Sequence, residues 1–171
     1  MDINEMDQGL LIRNPSLTRE EFSHHWYHNH APLVIPMFLY LGVQHYQQVR
    51  HSLPSRSPPS HPFQIHGPFT TSSPTLDILS FDGVAGLPPQ ETLDASRASM
   101  PEWVQAYYDE VVKKDERRFL VSEALEHIVR VGPRTVSGEV RVVIQEGRAL
   151  VEVSEEVWGV WRGYEERGRK E

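Results

Sequence analysis

The 171-residue sequence contains no cysteine. That one absence excludes disulfides, thiolate metal sites and a cysteine nucleophile. There is no long basic run. With 17 Lys and Arg against 24 Asp and Glu, the formal net charge is -7. Nucleic acid is therefore not an expected partner, because its phosphates require clustered cations. No apolar run is long enough to span a bilayer: the longest, about Ala31 to Val43, is short and contains Pro36. The opening MDINEMDQG is polar and acidic, unlike a secretory leader. These features predict a soluble, cytoplasmic protein with no membrane partner. Neither G-x-x-x-x-G-K-[ST] nor G-x-G-x-x-G occurs, and there is no G-x-S-x-G elbow. No nucleotide or flavin site is visible, so the expected cofactor is none.

What is present is enough for one folded domain. Hydrophobic residues make up 39% of the chain, which fits a sizeable core and not a disordered sequence. Histidine is the residue in excess, with nine copies, five of them between His24 and His45. It titrates near neutral pH and is the usual general acid or base.

The stretch from Thr18 to Val34, TREEFSHHWYHNHAPLV, reads as an amphipathic helix. Thr18 with Glu21 forms a capping box, and Glu20 and Glu21 sit where the helix dipole favours negative charge. Phe22, Trp26 and Leu33 recur at roughly helical spacing and face a core. His30 follows Trp26 by four residues, so it lies near the same face, and Pro32 is expected to bend or restart the chain just beyond it. His30 is the first choice for proton transfer; the plainer role is a hydrogen bond that fixes the Pro32 turn. His24 and His28, four apart, can share one helix face as metal ligands, but no third ligand is apparent and a surface cluster is the simpler reading. The metal expectation is therefore none.

Strands are expected at Gly9 to Arg13, Gly42 to His51, Leu76 to Ala85 and Ala124 to Val131. Alternation in the second puts Val43, His45, Gln47, Val49 and His51 on one face, with Tyr46 on the other. Between the second and third lies Leu53 to Thr75, rich in Pro and Ser, whose Phe63, Ile65 and Phe69 suggest a lid over a pocket. Pro88 to Val121 reads as a second helical region, with Pro101 starting a new helix at N1 and a stripe through Trp103, Val104, Tyr107, Tyr108, Val111 and Val112. The order β-α-β-β-α-β is ferredoxin-like. The whole chain, 1–171, reads as one α+β domain with a core at about 9–131. Residues 132–171 add a hairpin around Gln145-Glu146-Gly147-Arg148, a short amphipathic piece from Val157 to Tyr164, and a charged tail that frays.

Three blocks carry a resemblance. Glu20-Glu21-Phe22, Trp26 and His30-Ala31-Pro32-Leu33 resemble the E-E-F-x3-W-x3-H-x-P-L signature of the EthD family. Asp82-Gly83-Val84-Ala85, and Asp115-Glu116-Arg117-Arg118-Phe119-Leu120 after Pro101-Glu102, are similar to its later blocks. The resemblance implies a dimeric α+β barrel, hence a homodimer. The histidine-rich version of the signature resembles fungal EthD-type enzymes of aromatic polyketide pathways, some of which decarboxylate anthrone-type carboxylic acids. It implies a cofactor-free lyase of secondary metabolism acting on a small aromatic substrate. In that scheme His30 protonates carbon, His45 or His51 holds the carboxylate or polarises a carbonyl, and Asp82 orients a histidine or acts as base. Trp26, Phe22, Phe38, Tyr40, His127, Phe63 and Phe69 contact the rings. Two alternatives stay open: a polyketide or terpenoid cyclase, dehydratase or isomerase on the same fold, and a non-catalytic small-molecule-binding accessory protein.

Overall fold

A computed structural model of the chain describes residues 6–50, 70–71, 73 and 75–170. His51, Phe63 and Phe69, with most of the expected lid, lie outside the described residues. The main sheet has six antiparallel strands: β1 (Asp7–Leu11), β2 (Tyr46–Arg50), β4 (Gly83–Leu87), β5 (Val129–Val131), β7 (Glu139–Gln145) and β8 (Arg148–Ala149), in the order β5-β1-β4-β2-β7-β8. The first four positions reproduce the ferredoxin-like arrangement, and the C-terminal hairpin extends the β2 edge. A separate pair joins β3 (Thr70–Thr71) to β6 (Val136–Ser137). The α+β expectation holds.

Three helical stretches cover one face. The first, α1, runs without a break through Arg19–His25, a π-helical turn at Trp26–His30, and Ala31–Tyr40. Thr18 caps it as expected: its hydroxyl accepts the Glu21 N–H, and Glu21 accepts from the Thr18 N–H at 2.7 Å. The chain does not break at Pro32. A proline ring clashes with the carbonyl four residues back in a regular α-helix. The wider π turn just upstream absorbs that clash, with the Ala31 N–H bonding the Trp26 carbonyl five residues back. Helix α2 (Gln90–Ala98) is followed by α3, again three segments: Glu102–Tyr107, a π turn at Tyr108–Val112, and Lys113–Phe119. Pro101 is its N-cap, one position earlier than expected. The Tyr107 hydroxyl donates to the Leu33 carbonyl at 2.8 Å and ties α3 to α1.

Strand boundaries differ from the expected ones. The third expected strand begins as a 3-10 turn at Ile78–Ser80, and its strand portion runs past Ala85 to Leu87. The first half of the fourth is a short helix, α4 (Ala124–His127), because the Ile128 N–H bonds back to the Ala124 carbonyl and Nδ1 of His127 lies 3.1 Å from the Glu123 carbonyl. The C-terminal tail does not fray but forms α5 (Glu155–Gly168), capped by Ser154. Its Trp161 and Tyr164 pack edge-on against Tyr107, at 4.8 and 5.4 Å between ring centres. The hairpin forms where expected, with φ of 51° at Glu146 and 69° at Gly147, the two positive values of a type I′ turn.

The sheet has two unlike faces. Towards the helices it presents Leu11, Tyr46, Gln48, Ala85 and Leu87. At Gly83 a Cβ would stand 2.7 Å from the Trp26 ring and 2.9 Å from Phe22, so the strand passes directly under that aromatic pair. Away from the helices Leu10, Val84 and Val49 stand in register on adjacent strands. They form a second small core with Phe81 and Val136. Among the described residues no helix is long and apolar enough to cross a membrane.

Candidate active site

Between the helices and their side of the sheet lies a cavity of about 580 Å³. Leu11, Ala85, Leu87 and Tyr46 form its floor, while Trp26, His30, Met37 and Phe38 of α1 and Tyr108, Val112, Glu116 and Phe119 of α3 form its walls. The lining is mainly apolar, with a few convergent polar groups, as in small-molecule sites.

His30 sits in this wall with only 5% of its surface exposed. Its Nδ1 lies 3.0 Å from Oδ2 of Asp115, which is equally buried. The same carboxylate takes a second bond from Nε2 of His25, at 3.0 Å to Oδ1. Burial alone would raise the Asp115 carboxyl, but the two imidazole bonds and their charge outweigh it and hold the group well below the usual carboxylate range. An ionised carboxylate only accepts, so Nδ1 of His30 carries the proton and donates. Nε2 of His30 has no hydrogen-bond partner among the described residues. A histidine fixed in this way presents Nε2 as a base when neutral and as an acid when charged. The Phe119 ring packs against both imidazoles, at 4.8 Å from His30 and 5.0 Å from His25.

The π turn explains how two histidines of one helix reach one carboxylate. Residues five apart are about 1.4 turns apart in an α-helix and project to different sides. In a turn whose bonds run from i to i+5, the fifth residue returns almost to the first. The turn is pinned from below by Gln48, whose Nε2 donates to the Trp26 carbonyl at 3.1 Å.

Glu116, next to Asp115, has the opposite environment. It is 5% exposed, and burial pushes its carboxyl above the ordinary value despite the attraction of His30. Its Oε2 accepts the Ala124 N–H at 3.0 Å. The Tyr46 hydroxyl is fully enclosed and burial pushes it up to about 12; Tyr108 is driven well above its ordinary value by the same cause. Three cations also border the cavity. Lys113 pairs with Asp109 at 2.7 Å and Arg130 with Asp7 at 2.7 Å. Arg97 has no carboxylate partner among the described residues.

The expected site residues divide. His30, Trp26 and Phe38 line the cavity together. His45 does not line it: strand alternation sends Tyr46 inward, so its neighbour points elsewhere. Asp82 is at the opposite end of β4, bonded to the Arg13 N–H at 3.2 Å and to Nε of Arg19 at 2.9 Å, which makes it an anchor for the start of α1. Phe22 packs beneath Trp26 in the core, at 5.5 Å between ring centres. Tyr40 faces outward against Trp103 and Trp161. His127 is a tie between elements: its Nε2 accepts the Ile12 N–H at 3.2 Å, and burial lowers its pKa. His24 and His28 pack with their rings tilted, 4.6 Å between centres, and burial, followed by the His24 charge, lowers His28. Among the described residues no group of three or more potential ligands could hold a metal ion.

Sequence reasoning missed His25, Tyr46, Tyr108, Asp115 and Glu116. The sequence does hold a signal for the last two: an Asp-Glu pair stands three and four residues after Val112, the last residue of the apolar stripe of α3. Set against known proteins, residues 14–123, more than half of the chain, match the model of the EthD domain. No curated protein and no solved structure matches the chain.

Proposed function

The chain belongs to the EthD domain family, and from that premise we propose that it is a cofactor-free decarboxylase of an aromatic polyketide carboxylic acid, with His30 as proton carrier. One observation carries the reading: a buried histidine in the wall of an apolar cavity, with Nδ1 held by Asp115 and Nε2 free. An acid β to a carbonyl, or ortho to a phenol, loses carbon dioxide without a metal or organic cofactor. In the β-keto acid the electron pair of the broken C–C bond delocalises into the carbonyl oxygen, and the carbon then takes a proton. In the ortho-phenolic acid the ring carbon takes the proton first, and the pair of the breaking bond restores the aromatic ring. Either acid needs one proton at carbon. Charged His30 supplies it from Nε2, while Asp115 keeps the ring oriented.

In this reading Arg97, at the cavity wall, holds the substrate carboxylate in place of His45; His51 lies outside the described residues. Charge on that carboxylate disappears as carbon dioxide forms, so a tight buried clamp would stabilise the ground state more than the transition state. An exposed guanidinium at the wall orients the acid without that penalty. Trp26, Phe38 and Tyr108 offer ring surfaces for the aromatic body.

The test is turnover of aromatic β-keto and ortho-hydroxy acids, with carbon dioxide release and product mass followed together. His30→Gln keeps polarity and approximate size but cannot shuttle a proton; it should lose on the order of 100- to 10,000-fold in kcat while still binding product. Near wild-type turnover in that variant ends the proposal. A product of unchanged mass, or one short of water only, would replace it with the isomerase, cyclase or dehydratase alternative. A homodimer belongs to the same reading, and light scattering at twice the 19.7 kDa of one chain is its check.

A further inference from the structure

Two neighbouring carboxyl groups on α3 stand in opposite environments. Asp115 is saturated, with both oxygens engaged by His25 and His30. Glu116 has one hydrogen bond, from Ala124 to Oε2, and lines the cavity with His30. Among the described residues its Oε1 has no partner. A carboxylate this deeply enclosed is costly when ionised and short of donors.

We propose that Glu116 is a second catalytic residue, a protonated carboxylic acid that donates a hydrogen bond to the carbonyl oxygen β to the carboxylate of the bound aromatic substrate. The proposal rests on the decarboxylase reading for the reaction, though not for the hydrogen bond itself. In the step, the bond between the ring carbon and the carboxylate breaks and its pair moves to the carbon and the conjugated oxygen. Carbon dioxide leaves, and His30 transfers its Nε2 proton to the carbon and becomes neutral. Glu116 keeps its proton throughout. Its O–H stabilises the enolate oxygen as charge builds there, the task of an oxyanion-hole donor.

The surroundings favour the neutral acid. The charged or titratable groups that act on Glu116 are His30 from α1, Lys113 from α3 and Glu123 from the turn before α4, and it acts in turn on Tyr46 of β2 and Tyr108 of α3. Lys113 is occupied by Asp109 and Glu123 at 2.7 and 3.3 Å, so its charge is largely spent elsewhere. Burial is the largest influence, and it acts upward. In this proposal Asp115, bonded by two imidazoles, is the anion of the pair, and Glu116, with one backbone donor and its other oxygen unpartnered among the described residues, is the acid.

The experiment compares the full-length wild type with Glu116→Gln, Glu116→Leu and His30→Gln. Glutamine is always neutral, still donates a hydrogen bond, and can still accept from Ala124. Its kcat for carbon dioxide release should stay within about tenfold of wild type, as one neutral donor replaces another. Leucine fills the space without donating and should lose about 100-fold or more in kcat, with the melting temperature retained. Infrared difference spectra of wild type minus Glu116→Gln should show a protonated-carboxyl stretch at pH 7. That band should move to lower frequency when an aromatic ketone enters the cavity. Leucine as active as wild type, glutamine as impaired as leucine, or no such band at pH 7 would each overturn the proposal. If wild type and His30→Gln release carbon dioxide equally, or not at all, while the band still responds to the ketone, the decarboxylase reading fails and the Glu116 hydrogen bond stands.

Discussion

The two faces of the central sheet are built from alternate residues of the same strands, yet they serve opposite ends. On the side away from the helices, Leu10, Val49 and Val84 are closed over by Phe81 and Val136 into a small core. On the helix side, Leu11 and Ala85, one residue along from Leu10 and Val84, and Tyr46, three before Val49, face about 580 Å³ of open space. One face is packed for stability. The other forgoes that packing and gathers a histidine, a carboxyl and two tyrosines around a void. The difference teaches that binding space here comes at the helix–sheet layer, while the distal face is already filled by the chain's own segments.

The sharpest way to break the contrast is Asp115→Asn. Asparagine keeps the shape but lets the His30 ring take the wrong tautomer, and kcat should fall on the order of 1,000-fold or more with KM nearly unchanged. Steady-state kinetics beside a circular dichroism melt would separate this from unfolding. Next comes a matched pair. Leu10→Ala, on the filled face, should cost about 2–5 kcal/mol in urea unfolding and leave KM alone. Phe38→Ala, at the cavity wall, should raise KM about tenfold and cost less stability, because its ring borders space that is already empty. If the two variants behave alike, the faces are not functionally distinct. The smallest effect concerns pH. Burial lowers His127 in the folded state from its ordinary 6.5, so the stability it supports is complete above 6.5 and is lost as pH falls through the depressed value. His127→Gln should flatten that part of the stability-versus-pH curve, with kcat unaffected.

Much of the fold was legible because local signals were strong. Thr18 and Glu21 announced the first helix, Glu146-Gly147 the hairpin, and period-two alternation correctly separated Tyr46 from His45. What the alternation could not give was which side faced the helices, since neither face of β2 is purely apolar. The polar Gln48 and Tyr46 are the inward residues, and Gln48 is there to bond the Trp26 carbonyl. The α4 turn was read as a strand because Leu125, His127 and Val129 alternate; His127 bonding back towards Glu123 decided otherwise. At the site, His30 was found from its place relative to Trp26, whereas its partner Asp115 lies 85 residues away. No local pattern links the two, and histidine abundance drew attention to His45 in its stead. The tail was read as frayed because it is charged, but Trp161 and Tyr164 dock it on Tyr107.

The π turn at Trp26–His30 has a genetic consequence. It holds one more residue than an α-helical turn in the same place, which is what a single-codon insertion would leave. Loss of one codon between Trp26 and His30 would let the helix re-form with its Thr18 cap intact and nearly the same length. The fourth residue of an α turn returns almost where the fifth residue of a π turn does, so His30, then four after His25, would keep the side that faces Asp115. What the shorter turn would lose is room for the Pro32 ring, which clashes with the carbonyl four residues back in a regular α-helix. A lineage that dropped the codon would thus keep its imidazole in place and come under pressure to replace its proline.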